Sequence, residues 1–118
     1  MQFNYWCISV DRPFGNHHLR VMTGQAASLA TGVQTTAAIV PGHYASEEQV
    51  ARALARLGKP AAAALIESLL PTTKAIRSGD LGEIYATEWI DAHSGGYQAL
   101  IKRLRWKDHR NMAMRGDD

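Results

Sequence analysis

At 118 residues, with 46% hydrophobic content and a formal net charge of +2, the chain is the size of one small domain and has enough apolar material for a core. The single cysteine excludes an intramolecular disulfide, no apolar run approaches the ~20 residues of a membrane span, and the N-terminus lacks the pattern of a secretory leader. A reducing cytoplasm is therefore the expected compartment. The charge is uneven: residues 1–101 hold seven Lys or Arg against eight Asp or Glu, whereas residues 102–118 hold six against three.

Residues 3–10, Phe-Asn-Tyr-Trp-Cys-Ile-Ser-Val, are aromatic and β-branched and predict a strand ending at Asp11-Arg12-Pro13. Residues 11–33 are broken by Pro13, Gly15, Gly24 and Gly32, with a helix-compatible stretch over 25–30. Residues 34–40 are β-branched and bounded by Pro41-Gly42, which predicts a second strand. Ser46 followed by Gln49 fits a capping box, with Val50, Leu54 and Leu57 on one helical face and Gly58 as the stop. Pro60 suits the first turn of a second helix that runs to Pro71, so the two make a helical hairpin. A third helix is expected over 80–92, with Leu81, Ile84, Tyr85 and Trp89 at helical spacing and Ser94-Gly95-Gly96 behind it. Residues 97–107 then alternate as a strand would, with Leu100, Leu104 and Trp106 on one face and Ile101, Arg103, Arg105 and Lys107 on the other. The expected class is α+β, as one domain or domain fragment, with an N-terminal region at 1–77 and a second part at 78–118.

Chemistry concentrates in that last part. Asp80 and Glu83 can be read as the N-cap and N3 carboxylates of the third helix, or Glu83 can be read as a ligand pointing into a cation site. Glu88 and Asp91 fall on other faces of the helix, Glu88 about 140° from Glu83, and suit solvent. Asp117 and Asp118 end the chain after Gly116. They can be a solvated tail or, with Glu83, carboxylates for a hard cation such as Mg²⁺. Arg103, Arg105, Lys107 and Arg110 can form a solvated face or the footprint of a phosphate backbone. Trp106, between Arg105 and Lys107, can stack on a base or plug the core. The histidines show no zinc spacing, and Cys7 reads as a small apolar residue of a strand.

Two blocks carry a resemblance: Ser78-Gly-Asp-Leu-Gly-Glu-Ile84 and, above all, Arg103-Leu-Arg-Trp-Lys-Asp-His-Arg-Asn-Met-Ala-Met-Arg-Gly-Asp-Asp118. Together they resemble the C-terminal domain of HamA-like proteins, the nuclease subunit of the Hachiman antiphage system, which belong to the PD-(D/E)xK endonuclease group. The resemblance implies the first helix and strand of a restriction-endonuclease-like core. It implies Mg²⁺ held by Glu83 and Asp118, with Asp117 beside them, and DNA phosphates met by Arg103, Arg105, Lys107 and Arg110. A helicase subunit of the same defence system is the implied protein partner. The Glu-x-Lys pair that follows in the group has no counterpart here, so the expectation is a truncated chain, inactive alone. The alternative is a non-catalytic module that binds nucleic acid or the helicase.

Overall fold

The computed structural model describes residues 1–93, 95, 98–99 and 101–113. Their order is a β-hairpin followed by four α-helices, an α+β arrangement as expected. They divide into two compact units, Met1–Ala38 and Ile39–Asp118.

In the first unit a 3-10 turn, Phe3–Tyr5, leads into β1 (Cys7–Phe14), which pairs antiparallel with β2 (His17–Gly24). The expected strand thus begins four residues later and runs on through Pro13. A two-stranded ribbon has free edges, so proline's missing N–H costs it no ladder bond when turned outward. Gly15 and Asn16 close a two-residue turn between the paired Phe14 and His17. Gly15 has a φ of 58°, the left-handed conformation such turns require. Every position of the ribbon except Cys7 and Met22 is exposed. Phe3 and Trp6 are buried, and a Cβ at Gly32 would come within 2.5 Å of the Trp6 ring. The ring lies directly on the backbone of α1 (Leu29–Tyr44).

The expected strand over 34–40 is the middle of α1 instead, and Pro41 sits inside the helix. Strand propensity is a weak, context-dependent preference. Here Ile39 and Val40 gain more by packing against the cluster of Tyr44, Ile84 and Leu104. Thr35 hides its hydroxyl by bonding back to the Thr31 carbonyl at 2.7 Å, a bond that only a helical backbone offers.

In the second unit the capping box is present. The Gln49 N–H donates to Ser46 Oγ at 3.2 Å and the Ser46 N–H donates to Gln49 Oε1 at 2.8 Å. It opens α2 (Glu47–Leu57); Gly58, at φ 80°, then separates α2 from α3 (Lys59–Leu69). The helical hairpin stands as expected, though Leu54 and Leu57 remain exposed. The third expected helix is α4, and it spans Lys74–His93. Asp80 is therefore a mid-helix residue and not a cap. The signal for the earlier start is Pro71-Thr72-Thr73, with the Thr73 carbonyl accepting from the Arg77 N–H at 3.0 Å.

The expected strand over 97–107 is not formed by its described residues: Arg103–Trp106 make a 3-10 turn. A strand needs a neighbour with which to exchange hydrogen bonds, and the ladder present among the described residues pairs β1 with β2 and does not include these residues. The chain closes local bonds instead, Arg105 N–H to the Lys102 carbonyl and Lys107 N–H to the Leu104 carbonyl. With three residues per turn, Leu104 and Trp106 no longer share a face. Leu104 is buried in the core while Trp106 stays 73% exposed, so Trp106 does not plug the core.

A candidate functional site along α4

Asp80, Ile84 and Glu88 recur every four residues, and all three are buried on one face of α4. Ile84 belongs to the apolar core, so the two carboxylates flank that core rather than face water. Burying a carboxylate without partners is costly, and each has them. Asp80 accepts from the Tyr44 hydroxyl at 2.6 Å and from Lys107 Nζ at 2.7 and 3.0 Å. The Asp80 and Lys107 side chains are each 5% exposed. The third Lys107 donor goes to the Arg110 carbonyl at 3.1 Å, which satisfies the ammonium. Glu88 meets His43 Nε2 at 2.7 Å, with Lys102 Nζ at 3.9 Å.

The electrostatics follow from burial. Burial lowers the pKa of His43 against the opposing pull of its bond to Glu88, and the Lys102 and Arg105 charges lower it further. Glu88 lies below its usual value: burial opposes its ionisation, and the bond with His43 is among the interactions that overcome it. His43 is then a neutral imidazole donating from Nε2 to a carboxylate. Burial, then the bond to Asp80, keeps the Tyr44 phenol protonated well above the ordinary tyrosine range.

A third pair lies nearer solvent. Arg103 Nη1 donates to Glu83 Oε1 at 3.0 Å, with both side chains about one-third exposed. Glu83 and Asp80, one turn apart, border a cavity of about 210 Å³ with Gly79, Leu104 and Ala113. Arg105 turns the other way and donates from Nε and Nη2 to the Gly42 carbonyl at 3.0 and 2.6 Å.

The HamA family model matches residues 2–118, essentially the whole chain. The chain belongs to the HamA family. As a HamA-family member it is an antiphage defence protein. No curated protein matches the chain.

In this HamA-family chain the sequence-predicted residues fall into three groups. Glu83 is described and lines a cavity; Arg103, Arg105, Lys107 and Arg110 lie on the segment packed against α4 and the end of α1. Asp117 and Asp118 lie outside the described residues. The structure joins two sets that the sequence kept apart, because Arg103 binds Glu83 and Lys107 binds Asp80. Glu88, expected in solvent, is buried. A Cβ placed at Gly82, beside Glu83, has nothing described within 4 Å, so no second backbone approaches there among the described residues.

Mg²⁺ prefers a near-octahedral shell of hard oxygen donors. The Glu83 carboxylate suits that chemistry, but among the described residues no group of three His, Cys, Asp or Glu could hold an ion. Reasoning from sequence missed two buried polar clusters, Tyr44–Asp80–Lys107 and His43–Glu88 with Lys102 nearby. The i, i+4, i+8 spacing of Asp80, Ile84 and Glu88 was a signal for part of it, once α4 is started at Lys74. Nothing in the sequence indicates that His43 meets Glu88, 45 residues away. Among the described residues no helix is long and apolar enough to cross a membrane.

Proposed function

We propose that this HamA-family chain is the DNA-cleaving component of its defence system: a Mg²⁺-dependent endonuclease when assembled, acting in the cytoplasm alongside a helicase subunit. The observation that carries the reading is Glu83. It is a half-buried carboxylate on α4, bordering a cavity together with Asp80 and adjoining a run of cations from Arg103 to Arg110. Glu83, with Asp118 and Asp117, would hold the ion, whose role in phosphodiester hydrolysis is to activate water and neutralise developing charge. Arg105 and Arg110 are exposed and suited to DNA phosphates. Arg103 and Lys107 are bound to Glu83 and Asp80, so their approach to phosphate requires those pairs to open.

The test is cleavage of supercoiled plasmid in Mg²⁺ by the chain alone and together with the rest of its defence system. Alone, the chain should leave the plasmid intact. The assembled system should nick or linearise it, and Glu83→Gln should abolish cutting by at least about a hundredfold, the usual scale for loss of an essential catalytic group. No cutting in either form would sink the nuclease reading. Equal cutting by Glu83→Gln would remove Glu83 from the site.

One observation favours a second reading, a non-catalytic module that binds nucleic acid or the helicase: Asp80, Glu83 and Glu88 each lie within ion-pair distance of a basic group. That reading expects DNA binding that falls steeply with salt and is indifferent to Mg²⁺.

A further inference from the structure

The 103–110 segment also borders a second cavity, and two of the cations that line it, Arg105 and Arg110, are ones that the cleavage reading assigns to DNA phosphates. A cavity of about 310 Å³ opens between the end of α3 and the loop after the 3-10 turn. Its walls include the apolar side chains Leu69 and Leu104 and the Tyr44 ring; Arg105, His109 and Arg110 form the polar side. Tyr44, its hydroxyl committed to Asp80, and Leu104 are 5% and 3% exposed, so each offers the floor of the cavity only a small apolar edge. Lys107 also borders the cavity, but its three donors are taken by Asp80 and the Arg110 carbonyl.

Two of the donors that remain, Arg105 and His109, are oriented by bonds of their own. Arg105 is anchored on the Gly42 carbonyl through Nε and Nη2, which leaves the rest of its five N–H groups to be presented. His109 Nδ1 accepts from the Asn111 N–H at 3.1 Å, so the neutral ring carries its proton on Nε2 as a donor. The loop is pinned as well: Asn111 Oδ1 accepts from the Thr72 N–H at 2.8 Å, and Asn111 Nδ2 donates to Thr72 Oγ1 at 2.9 Å. A cavity fixed before its ligand arrives spares the ordering cost of binding.

We propose that this cavity binds a nucleotide, with the phosphate on Arg105, Arg110 and His109 and the base over Leu69, with the edges of Leu104 and Tyr44 beneath it. Guanidinium groups match phosphate geometry through paired N–H donors. Asp108, on the same rim, decides the class of ligand. Its carboxylate disfavours a bare anion but accepts from sugar hydroxyls or a base amine, so a nucleotide suits the site better than inorganic phosphate. The phosphate can belong to a free nucleotide or to the 5′ end of a strand, and both present the same phosphomonoester. The proposal shares Arg105 and Arg110 with the cleavage reading but is tested separately from it, because it concerns binding without metal or duplex.

The experiment is isothermal titration calorimetry of the full 118-residue chain in EDTA. The probes are a deoxynucleoside monophosphate, the matching nucleoside, inorganic phosphate, and a short oligonucleotide with and without a 5′ phosphate. Saturable binding of the monophosphate is expected, with the nucleoside and inorganic phosphate each at least about tenfold weaker. Arg110→Ser and His109→Ser, both on an exposed loop, should each weaken binding about tenfold. Arg52→Ser, on exposed α2, should leave it unchanged. Preference for the 5′-phosphorylated oligonucleotide over the free nucleotide would support the site and assign it to strand ends; the reverse would support it as a free-nucleotide site. Absence of saturable monophosphate binding would overturn the proposal, as would wild-type affinity in the Arg110→Ser/His109→Ser double variant.

Discussion

Two ion pairs of equal length sit in very different surroundings. On the β-hairpin, Arg20 grips Asp11 with two bonds of 2.7 Å, and both side chains are nearly half exposed. In the helical unit, Lys107 reaches Asp80 at the same 2.7 Å with both side chains 5% exposed. The hairpin pair stays in contact with water and can be lost at little expense. The buried pair has given up its hydration, so its members depend on one another and on Tyr44. Bond length alone does not set what an ion pair contributes; the medium does.

The sharpest way to break that comparison is to remove one carboxylate from each pair. Asp80→Ala leaves Lys107 and Tyr44 buried without their acceptor and should cost about 3–5 kcal/mol in urea unfolding. Asp11→Ala should not move the midpoint measurably. Adding Lys107→Met to Asp80→Ala should recover a good part of the loss, since an apolar pair of similar volume needs no partner. If the single Asp80 variant unfolds at the wild-type urea concentration, the buried network does not hold the helical unit together.

A second contrast uses two glycines. Gly32→Ala would drive a Cβ to within 2.5 Å of the Trp6 ring and should destabilise by about 1–3 kcal/mol through overpacking. Gly82→Ala, on the open side of α4 among the described residues, should stabilise by about 0.5–1 kcal/mol by restoring helix propensity. Thermal melts of the two variants should shift in opposite directions. A common direction would show that one of these packing environments is misassigned.

The smallest expected effect is a slope against pH. Burial holds the pKa of His43 below its ordinary ~6.5, so the unfolded chain binds that proton more tightly than the folded one. Stability is then intact above about pH 6.5, declines as the pH falls through that value, and levels off once it passes the folded pKa. Glu88 pulls toward protonation while Lys102 and Arg105 oppose it. Urea midpoints at pH 7.5 and 5.5 should differ in the wild type and converge in His43→Gln. An undiminished difference in that variant would place the titration elsewhere.

The sequence determined what depends on near neighbours. The capping box at Ser46 and Gln49, Gly58 between two helices, the α+β class and family membership were all readable, because each rests on a local pattern or a contiguous block of residues. Tertiary structure decided the rest. Residues 34–40 have strand propensity but become helix because Ile39 and Val40 find a core to pack against. Residues 103–106 alternate like a strand but turn in a 3-10 geometry, closing local bonds in place of a ladder. Lys107 and Tyr44 lie 27 and 36 positions from Asp80, and His43 lies 45 from Glu88. Which carboxylate meets a cation and which meets water is fixed by desolvation in the folded chain, a quantity that no spacing of residues along a sequence contains.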